Sequence, residues 1–227
     1  MPDTRLTWAN LREHLRKWAV VYLVVIGATL LVTNFLWLAT SPRVRDENQV
    51  LIYLAGPYSN PSGLDDVAAD VLERVKAQDP TVEDVTFEGL LFPDPQTDYT
   101  GVMLLMTRLA TGEGDAFLAD PNAMNALTDS LACLPLDDYV ADGWLSGYGL
   151  EPYYRTYEDE ETGQSVTHLI GLRIDALTSL YDREIMDNRG AFLAVASNGR
   201  NVDSTLRALE IVVEDLAKGV PQHDPED

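Results

Sequence analysis

Residues 18–39 run for 22 positions without a charged side chain, and this limits the possible folds more sharply than any other feature. Coiled as a helix, such a run spans about 33 Å, enough to cross a hydrocarbon core of about 30 Å. Trp18 and Tyr22 mark one end and Trp37 the other, as aromatic side chains do at membrane interfaces. Arg12, Arg16 and Lys17 crowd the N-terminal flank, whereas Arg43 and Arg45 sit beside Asp46 and Glu47 on the other. The positive-inside rule therefore predicts a cytoplasmic N-terminus and an extracytoplasmic bulk. The run is longer than the 7–15 apolar residues of a cleaved signal, and cleavage after Ala39-Thr40-Ser41 would leave Pro42 first. An uncleaved, single-pass anchor is expected, with the lipid bilayer as its partner through residues 18–39. Residues 1–17 are then a cytoplasmic segment, in which 4–17 suit a short amphipathic helix with Leu6, Leu11 and Leu15 towards the membrane. Residues 40–48 read as a linker, 49–219 as one domain and 220–227 as a disordered polar tail.

Charge divides the chain at the anchor. Residues 1–42 hold four basic and two acidic side chains, so the net −21 of the whole leaves −23 for the remainder. A surface that acidic repels phosphate backbones, which excludes nucleic acid as a partner and otherwise keeps the domain soluble. Cys133 is the lone cysteine, so neither an intramolecular disulfide nor a cysteine metal site can form. Its apolar setting, Ala132-Cys133-Leu134-Pro135, predicts a buried, inert thiol. An extracytoplasmic domain without disulfides, and with no acceptable Asn-x-Ser/Thr site because Pro61 follows Asn60, fits a bacterial cell membrane.

Beyond the linker, Val50 to Leu54 is a continuous apolar run ended by Gly56-Pro57, the pattern of a strand buried on both faces. Ser62 and Asp65 suit a helix-capping pair, after which Leu64, Val67, Val71 and Val75 share one helical face. Val82 to Phe92 predicts a second strand, and Tyr99 to Thr111 a helix apolar almost all round, therefore buried, stopped by Gly112. Asp115 to Leu118 predicts a third strand. Asp120 and Pro121 open a helix with Met124, Leu127 and Leu131 inward. Strands and helices alternating in this way imply a parallel α/β sheet with right-handed crossovers. Pro152 to Tyr157 and Val166 to Ile174 flank an acidic turn as a hairpin would. A strand at Ala191 to Ala196 and a helix over Ser204 to Lys218 complete the domain.

The stretch Gly112-Glu113-Gly114-Asp115-Ala116-Phe117-Leu118, followed by Leu134-Pro135-Leu136-Asp137-Asp138-Tyr139-Val140, resembles the first lobe of extracellular solute-binding proteins of bacterial ABC importers. Gly171-Leu172-Arg173-Ile174 resembles the region where that family's chain approaches its second lobe. Asn198 to Leu216 resembles a later loop and long helix of the family. The resemblance implies an α/β domain of three layers with a mostly parallel sheet, like one lobe of a periplasmic-binding-protein fold, behind one transmembrane helix. Family members are about twice this size and hold their ligand in a cleft between two lobes. Here only about ten residues separate Asp175–Tyr181 from the strand at Ala191, so one lobe, and half a cleft, is expected. The lipidated cysteine of the family's Gram-positive members is missing.

In an open parallel sheet, ligands meet the loops beyond the C-terminal ends of the strands. Those loops are Gly56 to Asn60, Pro93 to Thr97 and Asp120 to Asn122. Tyr58 suits stacking on a sugar ring, with Asp120 and Asn122 bonding its hydroxyls. Turn formation and helix capping account for the same three residues. Glu158 to Glu161 has the oxygen ligands for Ca²⁺ but lacks the spacing and glycine of a calcium loop, and reads as a solvated turn. Asp137 and Asp138 read as helix-start residues, His168 as a strand residue, and Ser146 lacks the nucleophile-elbow spacing. No catalytic residue, cofactor or metal is expected. The sequence points to a non-catalytic binding domain that takes a small polar solute or docks a protein partner at the cell surface. The alternatives are a carboxylate-dependent carbohydrate-active enzyme and a structural subunit of an envelope or transport complex.

Overall fold

The computed structural model describes residues 8–40, 46–92, 99–158 and 164–218, and the chain divides into two units, Met1–Arg43 and Val44–Asp227. In the first unit a single helix, α1 (Trp8–Thr40), carries the uncharged run together with Arg12, Arg16 and Lys17 before it. Its stretch Arg16–Trp37 is long and apolar enough to cross a membrane, and none of it is buried within the chain. The expected amphipathic segment falls in the first turns of this continuous helix, and its residues 4–7 lie outside the described residues.

The second unit is built on one six-stranded sheet. Strands β1 (Gln49–Gly56), β2 (Asp84–Leu91), β3 (Ala116–Ala119), β4 (Glu151–Glu158), β5 (Ser165–Arg173) and β6 (Phe192–Val195) lie in the order β2-β1-β3-β6-β5-β4. β1 pairs in parallel with both β2 and β3, with Ile52 opposite Phe87 and Ala116. The pairs β3–β6, β6–β5 and β5–β4 are antiparallel. Hence β1, β2, β3 and β5 all point one way, and their C-terminal ends share one edge of the sheet. The expected parallel order holds for β2-β1-β3, while the hairpin and a reversed β6 make the other half antiparallel.

Alternation along the strands sends side chains to two cores, each closed by helices. Val50, Ile52, Leu54, Leu118 and Leu193 face one side. There α2 (Asp65–Lys76) buries Val67, Val71 and Val75, and α7 (Val202–Ala217) buries a stripe from Leu206 to Leu216. Tyr53, Ala55, Phe117 and Ile170 face the other side, against α3 (Thr100–Thr111) and α4 (Pro121–Asp129). The result is the expected three-layer α/β domain. Arg74 on α2 ties the first layer together, bonding Asp70, Glu214 and Asp215, the last two on α7. Two shorter helices, α5 (Asp137–Ala141) and α6 (Ser179–Asp182), complete the fold.

Three local expectations fail for identifiable reasons. Ser62 and Asp65 do not form a capping pair. Pro61–Leu64 winds as a tight 3₁₀ turn instead, leaving Leu64 at the helix start with no side-chain bond. α3 is not buried all round: Leu105 and Leu109 face the sheet, whereas Met103 and Leu104 are exposed because only one of its sides meets the sheet. Leu131 points outward, since α4 stops at Asp129 and Leu131 itself adopts a left-handed φ of 54°. Gly112 does terminate α3 as expected, with φ 67°. Asp137 and Asp138 do open a helix, Asp120 caps α4, and Cys133 is buried, which pushes its thiol up to about 12.

Candidate functional site

β1 ends at Gly56, and the chain turns outward through Pro57 at the edge where the C-termini of β1, β2, β3 and β5 collect. Segment 57–60 does not hang free there. The Asn60 amide donates to the Ile185 carbonyl at 2.8 Å, and the Tyr58 hydroxyl donates to the Glu184 carbonyl at 3.1 Å. These bonds hold the Tyr58 ring, 55% exposed, beside the segment after α6.

That segment is folded tightly by its own polar groups. The amide of Asn188, almost fully buried, donates to the carbonyls of Ile174, Asp175 and Leu177 at 3.0–3.1 Å. The Gly190 amide donates to the Asp175 carboxylate at 2.7 Å. Glu184 adopts a left-handed φ of 54°, uncommon for a residue with a side chain, and this aims its carbonyl at Tyr58.

Between the two segments lies an open cavity of about 550 Å³, lined by Tyr58, Tyr181, Asp182, Glu184, Met186 and Asp187. That size falls within the ordinary range of small-molecule sites. Its walls are two exposed tyrosine rings and three carboxylates, and Met186 is buried beneath them. Arg189 stands at one side. Its guanidinium forms a fork on the Asp187 carboxylate, at 2.8 and 2.6 Å, and lies 5.4 Å from the centre of the Tyr181 ring. The pair holds the Asp187 carboxyl well below its ordinary range, at about 2, and raises the Arg189 guanidinium further.

Of the three residues singled out in the sequence, Tyr58 lines this cavity and the other two do not. Asp120 is nearly buried at the end of β3. Its carboxylate accepts the Ala123 amide at 2.8 Å, and burial pushes its pKa upward. Asn122, one residue into α4, is exposed. The loop Pro93 to Thr97 and the acidic residues 159–161 lie outside the described residues. The sequence alone assigns no site role to 181–187; the signal there is Tyr181-Asp182 followed by the charged pair Asp187-x-Arg189.

Two other places hold polar chemistry. Asp115, at the start of β3, accepts the Leu51 amide at 2.9 Å and the Arg200 amide at 3.3 Å, and burial raises its carboxyl. Next to it the Tyr53 hydroxyl is buried without a hydrogen-bond partner, and burial is the main reason its pKa rises to about 12. His168 approaches the Asp137 carboxylate at 3.3 Å, while that carboxylate also accepts the Leu169 amide. Among the described residues, no group of three or more His, Cys, Asp or Glu side chains is placed to hold a metal ion.

No family matches this chain as a whole or in part, and no curated protein sequence matches it. Among solved structures, a protein described as a spermidine/putrescine ABC transporter from Listeria monocytogenes is similar at 9% identity. The match covers 75% of this chain and 79% of that one, with a TM-score of 0.36. A likeness that loose carries no argument about function.

Proposed function

We propose that this chain is a membrane-tethered, non-catalytic binding module of the bacterial cell surface, resembling one lobe of a solute-binding protein. Helix α1 is the single-pass anchor, the N-terminus is cytoplasmic, and the α/β domain is extracytoplasmic. The domain takes a small polar solute at the edge where the strands β1, β2, β3 and β5 end. One observation carries this reading: the cavity of about 550 Å³ that Tyr58 borders at that edge.

A second use, docking a protein partner, is favoured by a different observation. Leu91 at the end of β2, Tyr99 just before α3, and Met103 and Leu104 in its first turn and a half are all exposed apolar or aromatic side chains. Melting the full-length chain in lipid nanodiscs against a panel of solutes tests the first reading. A ligand at 100 times its dissociation constant adds about 2.7 kcal/mol, which for a domain of this size raises Tm by roughly 5–10 °C. No shift with any solute would end the solute reading and leave the docking one.

A further inference from the structure

We infer that the cavity between Tyr58 and Tyr181 is a site for a small organic cation, an ammonium or guanidinium carried on a short aliphatic chain. This rests on the solute-binding reading above and names the class of ligand.

The lining has the right chemistry for a cation and the wrong one for its competitors. Two tyrosine rings border it, and three carboxylates offer only acceptors. None of the six lining residues is basic. Arg183, which sits in sequence between the lining residues Asp182 and Glu184, is drawn to Asp66 at 3.1 Å. An anionic solute would meet these carboxylates on a segment of the chain that carries −23. A neutral sugar could donate to these carboxylates but would make no use of their charge, and the Tyr58 hydroxyl already donates to the Glu184 carbonyl.

The molecule itself already places a cation at this wall. Arg189 lies 5.4 Å from the Tyr181 ring centre while its fork engages Asp187. Ring face plus carboxylate is the pairing that a guanidinium or ammonium ligand would seek, and Arg189 satisfies it from one side. The Tyr58 ring and the carboxylates of Asp182 and Glu184 line the remainder of the cavity. Arg189 is therefore an internal competitor, and a ligand cation gains Tyr181 and Asp187 in full only where Arg189 yields them.

The test is the melting and titration of the full-length chain in nanodiscs with agmatine and choline as cations, glutamate as an anion, and glucose and maltose as neutral solutes. The cations are expected to raise Tm saturably, and the others to leave it unchanged. Tyr181→Ala and Tyr58→Ala should each weaken agmatine binding by roughly 3–30-fold, the range of a cation–ring contact. Both rings are more than half exposed, so the fold should survive their loss. Arg189→Gln should tighten agmatine binding several-fold. A shift matched by potassium chloride of equal ionic strength would be charge screening and would overturn the assignment. Agmatine binding left unchanged by both tyrosine variants would place the ligand elsewhere and overturn it too. Sugars shifting Tm while cations do not would remove the cation class and leave the solute-binding reading standing. No shift with any solute would remove both.

Discussion

From Ile52 to Ala55 in β1, and from Ala116 to Ala119 in β3, every residue is buried; along the whole of β4 none is. The two regions belong to one sheet. β1 and β3 have helices packed over both faces, so every side chain enters a core and the sequence runs apolar without alternation. β4 is the edge strand of a hairpin. Tyr153, Arg155 and Tyr157 are half-buried on one face, while Tyr154, Thr156 and Glu158 on the other meet solvent. A bulge at Ile170, unpaired between Leu169 and Gly171, lets Leu169 and Leu172 face the same core. Stability is therefore concentrated in strands covered on both faces, such as β1 and β3, while the edge strand β4 tolerates change.

The largest expected effect breaks or upholds that contrast directly. Ile52→Ala should cost about 3 kcal/mol, a Tm loss of roughly 10 °C, whereas Tyr154→Ala should cost less than about 1 kcal/mol. Equal losses in thermal melts would refute the contrast between the covered strands and the edge strand β4. Next comes Asp115, whose carboxylate joins the start of β3 to β1 and to the loop before α7. Asp115→Ala leaves the amides of Leu51 and Arg200 without that acceptor and should cost about 2 kcal/mol.

The pH dependence of this loss has a definite sign. Burial raises the Asp115 carboxyl above its ordinary value, so its favourable share is whole in acid and shrinks as pH climbs through the raised value. The gap between the native chain and Asp115→Ala, measured by denaturant unfolding, should be wider at pH 4 than at pH 7. A gap that widens with pH would mean that the hydrogen bonds, and not burial, dominate. The smallest effect sharpens the reading of Asp120. As the cap of α4 it should be worth about 1 kcal/mol, so Asp120→Ala should lower Tm by a few degrees. Agmatine affinity should stay as it was, because Asp120 is outside the cavity lining.

Most of the elements were legible because each announces itself locally. The run Val50 to Leu54, the Asp120-Pro121 helix start and the Gly112 stop depend on burial pattern, capping and a left-handed φ within a few residues. α3 shows the converse. Its composition is apolar on several sides, but how many of those sides are covered depends on neighbours that no local pattern names. The candidate site was half legible. Tyr58 follows from the rule that ligands gather beyond strand C-termini. Its companions Tyr181 and Asp187 lie more than 120 positions away, brought there by the Tyr58–Glu184 and Asn60–Ile185 bonds.

Sequence alone determined the uncharged span of membrane-crossing length, the acidity of all that follows it, and the alternation of strands and helices. Each of these is set by the solvent preference of side chains within a short window, which folding does not alter. Tertiary structure decided the reversed direction of β6, the bulge at Ile170, the exposed side of α3 and the partners of Tyr58. Those follow from which distant segments meet, and the free energy of such meetings belongs to pairs of surfaces that no single stretch of sequence contains.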